Sequence, residues 1–98
     1  MLRGFSFLIG GEMKVQDFDG WYEHKCPGCN ELHFIAVDEP FENGQQWTFN
    51  RDVNKPTFSP SINIVGKCHY FIKDGFIQYC SDSKHELAGQ TIELPDMG

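Results

Sequence analysis

Residues 68–80 read CHYFIKDGFIQYC and carry the clearest secondary-structure signal in the chain. Asp74-Gly75 is a dipeptide that two-residue type I′ hairpin turns favour, and β-branched and aromatic residues flank it on both sides. Such a turn brings His69 beside Cys80 at the open end of the hairpin. Alternation along the two strands then predicts one buried face, which carries Tyr70, Ile72, Ile77 and Tyr79.

The rest of the chain also reads mainly as β-structure. Asp19-Gly20 and Gly10-Gly11 are further turn signals, and the second of them would let residues 12–16 pair with residues 5–9. Other strands are expected at residues 32–37, 47–49 and 91–94, and at the end of residues 56–65. The only helical signal covers residues 83–88, with Asp82 as N-cap. The sequence therefore predicts a single domain over residues 1–98: mainly β, a small antiparallel sheet with one short helical turn.

The composition is that of a small folded protein with an acidic surface. The chain has 98 residues, 40% of them hydrophobic and 14% aromatic, with a formal net charge of −6. This length allows one modest core, and the negative charge disfavours nonspecific binding to nucleic acid. No apolar run approaches the roughly 18 residues of a membrane span, and residues 5–9 are too few for the apolar segment of a signal peptide. We therefore expect a cytoplasmic protein without a membrane partner, in which cysteines are thiols or metal ligands.

Cys26-Pro27-Gly28-Cys29 is the strongest chemical signal in the sequence. A C-x-x-C turn between two extended segments presents two thiolates at the separation that tetrahedral zinc requires, and Asn30 can take the left-handed conformation that follows such a turn. A redox C-x-x-C would instead begin a helix, whereas residues 31–37 read as a strand. The motif therefore predicts a zinc knuckle, with Zn²⁺ as the cofactor.

The remaining metal ligands must come from other parts of the chain, because it has no second C-x-x-C. Cys68 and His69 are neighbours on a strand and face opposite ways, so the two should not bind one ion together. A site with two cysteinates and four protein ligands would be closed and structural, whereas three ligands and a water would indicate a small zinc-dependent hydrolase. The candidates are Cys68, His69 and His85, with Cys80, His24 and His33 as alternatives.

Nucleophilic catalysis is the other chemistry that the residue types allow. Cys80 and His69 could form a dyad across the hairpin. Neither this dyad nor a serine triad comes with a nucleophile elbow or a recognisable oxyanion loop, so both are minor alternatives. The residues available for a triad are Ser59 or Ser61 with His85 and Asp82.

A set of short motifs follows in order between Trp21 and Pro95. They are CPGCN at 26–30 with His33, WTFN at 47–50, PTFSPSI at 56–62, CHYFI at 68–72, and Asp82 with HELAGQT at 85–91. Together they resemble the DUF6527-type family of small phage and prophage proteins. Relatives often carry the label ammonia monooxygenase, which does not fit because that enzyme is a membrane-embedded copper complex and this chain has no spanning segment. The resemblance implies a phage-borne accessory protein, and it favours Cys68, His69 and His85 over Cys80 as ligands.

These observations lead to one expected function and one alternative. We expect a small accessory protein in the cytoplasm of a bacterial host, with a structural zinc ion, that binds a host or phage macromolecule, in particular a protein. The alternative is a small zinc-dependent hydrolase with an open metal position. The expected metal ligands are Cys26, Cys29, Cys68, His69 and His85. The expected functional surface carries His33, Trp47, Ser59, Ser61 and Asp82.

Overall fold

The computed structural model describes residues 13–97, which form two antiparallel β-sheets. The first sheet has the strand order β1-β2-β3, and the second has the order β4-β5-β6-β7-β8. The described residues contain no helix, and so none that could cross a membrane. The strands are β1 (Gln16–Phe18), β2 (Trp21–Cys26), β3 (Glu31–Ala36), β4 (Thr48–Phe49), β5 (Phe58–Ile64), β6 (Cys68–Lys73), β7 (Phe76–Tyr79) and β8 (Thr91–Glu93).

Two tight hairpins form where the sequence predicts them. Asp74 and Gly75 have φ angles of 52° and 83°, as a type I′ turn requires, and they join β6 to β7 with Tyr70 opposite Tyr79. The predicted inner face of this hairpin is confirmed, because all four of its side chains are buried. Asp19-Gly20 closes the β1–β2 hairpin in the same way.

Strand β5 contains a bulge that interrupts its pairing with β6. Phe58 pairs with Ile72 and Ile62 pairs with Tyr70, so three residues of β5, numbers 59–61, lie opposite the single residue Phe71. The bulge includes the cis Ser59-Pro60 peptide bond. An irregularity of this kind turns side chains away from their regular direction and is common beside functional sites.

The core lies between the inner faces of the two sheets. Tyr22 of the first sheet packs on Phe49 and Phe58 of the second, with ring centroids 4.5 and 6.4 Å apart. His24 reaches across the same interface to the hydroxyl of Tyr70. Aromatic side chains thus supply much of the contact area that a domain of this size needs.

One local expectation turns out differently. Residues 83–88 form bends and a turn rather than a helix, and backbone groups in and beside this stretch bond to other segments: Lys84 N–H donates to the Lys67 carbonyl just before β6, and Gly89 N–H donates to the Tyr79 carbonyl of β7. A short helix without tertiary support is only marginally stable, so these bonds prevail. The expected pairing of residues 12–16 with residues 5–9 lies outside the described residues.

Candidate functional site

Two groups of reactive side chains lie on opposite faces of β6. Cys68 points inward, where it meets Cys26, Cys29 and His33. His69, the next residue, points outward to Ser61 and Asp82. Successive residues of a strand face opposite ways, so one strand positions both groups.

The inner group, which we call the thiol cluster, consists of Cys26, Cys29, His33 and Cys68. One ligand atom from each residue lies within 4.8 Å of the other three. Cys26 ends β2, Cys29 lies in the turn that follows, and His33 belongs to β3, so the first sheet and its β2–β3 turn supply three members. Cys68 begins β6 and connects the cluster to the second sheet.

The C-P-G-C turn is built as the knuckle motif predicts. Asn30 N–H donates to the Cys26 carbonyl at 2.8 Å, and Asn30 takes a φ of 59°. The turn is anchored to the hairpin because Gly28 N–H donates to the Tyr79 hydroxyl at 3.1 Å, and that hydroxyl lies 3.0 Å from Cys26 Sγ. The turn that carries both cysteines is therefore held by its own backbone and by the Tyr79 hydroxyl.

The sulfur atoms are spaced for a shared ion rather than for a disulfide. Cys29 Sγ lies 3.4 Å from Cys68 Sγ, well beyond the roughly 2.05 Å of an S–S bond. Zn–S bonds of about 2.3 Å at tetrahedral angles put sulfurs roughly 3.7 Å apart, close to this value. All four cysteines of the chain are free thiols in the structure.

The protein environment shifts the pKa values of the three thiols in different directions. Burial opposes ionisation of Cys26, but the neighbouring His33 ring and the Tyr79 hydroxyl outweigh it and lower the pKa of that thiol to about 6. Burial raises the pKa of Cys29, and burial together with the neighbouring Cys29 raises the pKa of Cys68. Three thiols this close together need a cation if all of them are to be thiolates.

His33 supplies a ring nitrogen that fits a metal ion. Its Nδ1 lies 3.2 Å from the Tyr70 hydroxyl, while its Nε2 is buried without a hydrogen-bond partner among the described residues. A metal-binding histidine commonly uses one nitrogen for the ion and the other for a second hydrogen bond. Behind it, burial and the neighbouring His33 lower the pKa of His24 to about 3, so His24 is neutral and contributes no charge to the site.

The outer group is a hydrogen-bonded chain of Ser61, His69 and Asp82. Ser61 Oγ lies 3.0 Å from His69 Nε2, and His69 Nδ1 lies 3.3 Å from Asp82 Oδ2. The His69 side chain is 28% exposed and that of Asp82 is 66% exposed, so the chain opens to solvent. When Nδ1 carries the ring proton towards Asp82, Nε2 accepts the hydroxyl hydrogen of Ser61, which is the arrangement of a serine nucleophile with its base.

The strand register explains why these residues meet. Asn63 pairs with His69, and Ser61 lies two residues before Asn63 on the same face, which makes Ser61 the diagonal neighbour of His69. The bulge and a hydrogen bond from Trp47 Nε1 to the Ser61 carbonyl, 3.1 Å long, hold the serine in place. The structure thus joins Ser61, His69 and Asp82 into one hydrogen-bonded group on a β-sheet face, which we call the triad.

The backbone of His69 is held from the opposite strand and the following loop. Cys80 N–H donates to the His69 carbonyl at 2.8 Å. Ser83 Oγ accepts from His69 N–H at 3.1 Å and donates to the His69 carbonyl at 2.9 Å. Ser83 is buried, and its role is to fix the strand residue that carries the imidazole.

The structure places the expected metal ligands in three separate positions. Cys26, Cys29 and Cys68 come together, and the fourth member of their cluster is His33, which the sequence analysis assigned to a functional surface. His69 lies in the outer group. His85 packs beside the knuckle turn, where its ring occupies the space that a Cβ at Gly28 would need.

The expected surface residues also fall into distinct positions. Ser61 and Asp82 belong to the outer group, with His69 rather than His85 as the histidine between them. Ser59 lies in the bulge, and its carbonyl accepts a hydrogen bond from the Thr48 hydroxyl. Trp47 is buried and supports Ser61 through its indole N–H.

The combination of Ser61 with His69 was not among the triads expected from the sequence. Once the register of β5 with β6 is known, the alternation of exposed residues on the two strands places Ser61 near His69. A similar diagonal relation joins Cys26 to His33, since Cys26 pairs with Glu31 two residues earlier. Both relations depend on strand pairing, which sequence spacing alone does not supply.

Comparison with known proteins places the chain in a family. A family model described as "Bacterial ubiquitination-like system serine protease (BubE)" matches residues 6–80, which is more than half of the chain and includes Ser61 and His69. The description is that of a bacterial system family and not that of the DUF6527-type phage and prophage family that the motifs resemble. No curated protein and no solved structure matches the chain. The chain therefore belongs to the BubE family of bacterial ubiquitination-like system serine proteases.

Proposed function

We propose that this protein is a serine protease whose nucleophile is Ser61. The observation that carries the proposal is the hydrogen-bonded chain from Ser61 through His69 to Asp82, found in a member of a family described as serine proteases. Triads are recognised by geometry rather than by chain order, so the order serine, histidine, aspartate is no obstacle.

The geometry supports a two-step acyl transfer. Ser61 Oγ attacks the carbonyl carbon of the substrate while its proton passes to His69 Nε2, 3.0 Å away. His69 then gives this proton to the leaving amine as the C–N bond breaks, which leaves an acyl ester on Ser61. Water attacks the ester in the second step, again through His69, and releases the acid. Asp82 keeps the Nδ1 proton in place and stabilises the imidazolium that forms.

The surroundings of Ser61 suit an extended polypeptide. Phe71, which lies opposite the bulge, is 44% exposed and shares the outer face of β6 with His69. A cavity of about 310 Å³ between β5 and β6 is lined by Ser59, Phe71 and neighbouring side chains. We propose that this apolar surface binds a substrate side chain next to the scissile bond, so the expected protein partner is the substrate.

The thiol cluster is proposed to hold a structural Zn²⁺ ion. Its fourth donor is the buried, unpartnered Nε2 of His33, and three sulfurs with one nitrogen are a common closed zinc site. Such an ion has no open position for water. The catalytic-zinc alternative is therefore less well supported than a serine mechanism, which operates on the opposite face of β6.

The cysteines and the sequence motifs support proposals for the cellular compartment and the origin of the protein. Four free thiols, three of them in the thiol cluster, fit a reducing compartment, so we propose the bacterial cytoplasm. A phage or prophage origin and a DUF6527-type relationship, as the motifs suggest, are compatible with a bacterial system family. A purely accessory binding role is the alternative if the serine proves unreactive.

The proposal is tested with a fluorophosphonate probe, which labels activated serines, and with peptide libraries analysed by mass spectrometry. We expect one labelled residue, Ser61, in the wild type. Ser59→Ala is the matched control, because it removes a serine hydroxyl two residues away, and it should label like the wild type. Ser61→Ala should not label, and its hydrolysis should fall by at least about 10³-fold.

Replacement of Asp82 should lower the hydrolysis rate without removing the nucleophile. Asp82→Asn should lower the hydrolysis rate by roughly 10²- to 10⁴-fold, because it disturbs the tautomer of His69 without removing the nucleophile. Equal labelling of the wild type and Ser61→Ala, or hydrolysis that survives in Ser61→Ala, would exclude the serine mechanism.

A further inference from the structure

Cys80 lies beside the triad and has no part in the proposed mechanism. Its sulfur, a ring nitrogen of His69 and a carboxylate oxygen of Asp82 all lie within 4.8 Å of one another. Cys80 follows β7 and bonds through its N–H to the His69 carbonyl, so the hairpin itself fixes the thiol next to the imidazole. The triad thus shares two of its three residues with a second group of possible metal ligands.

We propose that His69, Cys80 and Asp82 form an inhibitory metal site for a borderline divalent cation such as Zn²⁺. Imidazole, thiolate and carboxylate are the three donor types that zinc accepts, and three protein ligands leave the fourth position for water. The inhibitory role rests on the proposed serine mechanism, whereas the metal site does not.

The distances and the exposure suit an ion that arrives from solution. His69 Nδ1 and Asp82 Oδ2 are 3.3 Å apart, close to the roughly 3.4 Å between ligands that are bound to zinc at about 2.1 Å. A cavity of about 210 Å³ reaches both side chains from the surface. The side chains of Cys68 and His69 point to opposite faces of β6, so the two sites share no ligand.

Metal binding at this site would disable the base. In the active triad the ring proton sits on Nδ1 and the lone pair of Nε2 accepts the proton of Ser61. An ion shared with Asp82 takes Nδ1, so the ring proton moves to Nε2, and the proton of the Cys80 thiol is lost to solvent. The imidazole stays neutral but its Nε2 is now a donor, and it can no longer deprotonate Ser61.

The experiment combines metal counting with an activity titration of the full chain. The protein is prepared with one equivalent of Zn²⁺ and then titrated with further Zn²⁺, or with Co²⁺ to follow its absorption spectrum. We expect a second, weaker equivalent whose binding parallels the loss of hydrolysis and is reversed by a mild chelator. Cys80→Ser should keep the basal hydrolysis, bind the second equivalent at least roughly tenfold more weakly and resist inhibition to the same extent.

Two further variants separate the metal site from the serine mechanism. Ser61→Ala should still bind two equivalents, because it retains all three ligands. Glu86→Gln removes an exposed carboxylate from the same loop and should behave like the wild type. A single equivalent in the wild type, or unchanged inhibition of Cys80→Ser, would overturn the proposal. If no variant hydrolyses any substrate, the serine mechanism fails, and the metal count of the wild type against Cys80→Ser still decides the site.

Discussion

At the scale of single residues, the decisive feature is that Cys68 and His69 are adjacent. Cys68 faces the thiol cluster and His69 faces Ser61, so only one peptide unit separates the two sites. Their opposite directions agree with the prediction, from alternation along a strand, that these two residues do not share an ion. The position of His69 in the triad therefore depends on how firmly β6 is held by its neighbours.

Gly28 is the residue whose replacement tests the packing of the knuckle. A Cβ at this position would overlap the imidazole of His85, which lies against the ring of Tyr79 with centroids 4.4 Å apart. We expect Gly28→Ala to destabilise the fold by about 1–3 kcal/mol, measured by chemical denaturation, because His85 must leave this contact.

The double variant with His85→Ala makes this prediction specific. Removing the imidazole frees the space for the new Cβ, so the cost of Gly28→Ala should largely disappear in the His85→Ala background. An additive result would mean that the overlap with His85 is not the cause.

Sequence reasoning succeeds at the residue scale where the determinants are local. The knuckle turn and the left-handed Asn30 follow from five consecutive residues, and both are present in the structure. His33 was harder to assign, because its proximity to Cys26 depends on the register of β2 with β3. The histidine of the triad was missed for the same reason: Asp82 and His85 are close in sequence, whereas the hydrogen bond to Asp82 comes from His69 on another element.

At the scale of elements, the β5 bulge and the outer face of β6 form the surface that is proposed to bind substrate. Phe71 stands opposite the bulge, and its ring centroid lies 6.4 Å from that of His69. The β6–β7 hairpin was predictable from its turn and its alternation. The β5 bulge was not predictable from the sequence. Pro56 and Pro60 indicated only that this stretch begins at a sheet edge or in a loop.

Phe71→Ala is the variant that tests this surface. We expect kcat/KM for peptide substrates to fall by roughly 10- to 100-fold, because a bound apolar side chain loses about 1–3 kcal/mol of contact. Fluorophosphonate labelling of Ser61 should stay near the wild-type rate, since the triad is intact. Phe76→Ala is a matched control, as Phe76 is 48% exposed on the neighbouring strand. Equal losses in the two variants would argue against a specific subsite at Phe71.

At the scale of the whole molecule, the thiol cluster joins the two sheets. Cys26, Cys29 and His33 belong to the first sheet and its turn, and Cys68 belongs to the second. A chain of this size has a modest core, and small domains commonly gain stability from a structural metal. The same ion would also hold the first residue of β6 and, through it, the position of His69.

Metal removal should therefore affect both stability and reactivity. The experiment uses the Cys80→Ser chain, so that the proposed second site does not contribute, and compares it before and after treatment with a strong chelator. We expect the melting temperature to fall by at least roughly 10 °C, because a tightly bound structural ion contributes several kcal/mol to a domain of this size.

Labelling of Ser61 by the fluorophosphonate probe should fall together with the melting temperature, although no ligand of the cluster touches the serine. Re-addition of Zn²⁺ should restore both, and Cys26→Ser should reproduce the chelated state without chelator, since it removes one of the four donors. If the chelated protein kept its labelling rate while its melting temperature fell, the triad would be held by the β6–β7 hairpin and Ser83 alone. The coupling of the two faces through β6 would then be wrong, and the ion would serve only to join the sheets.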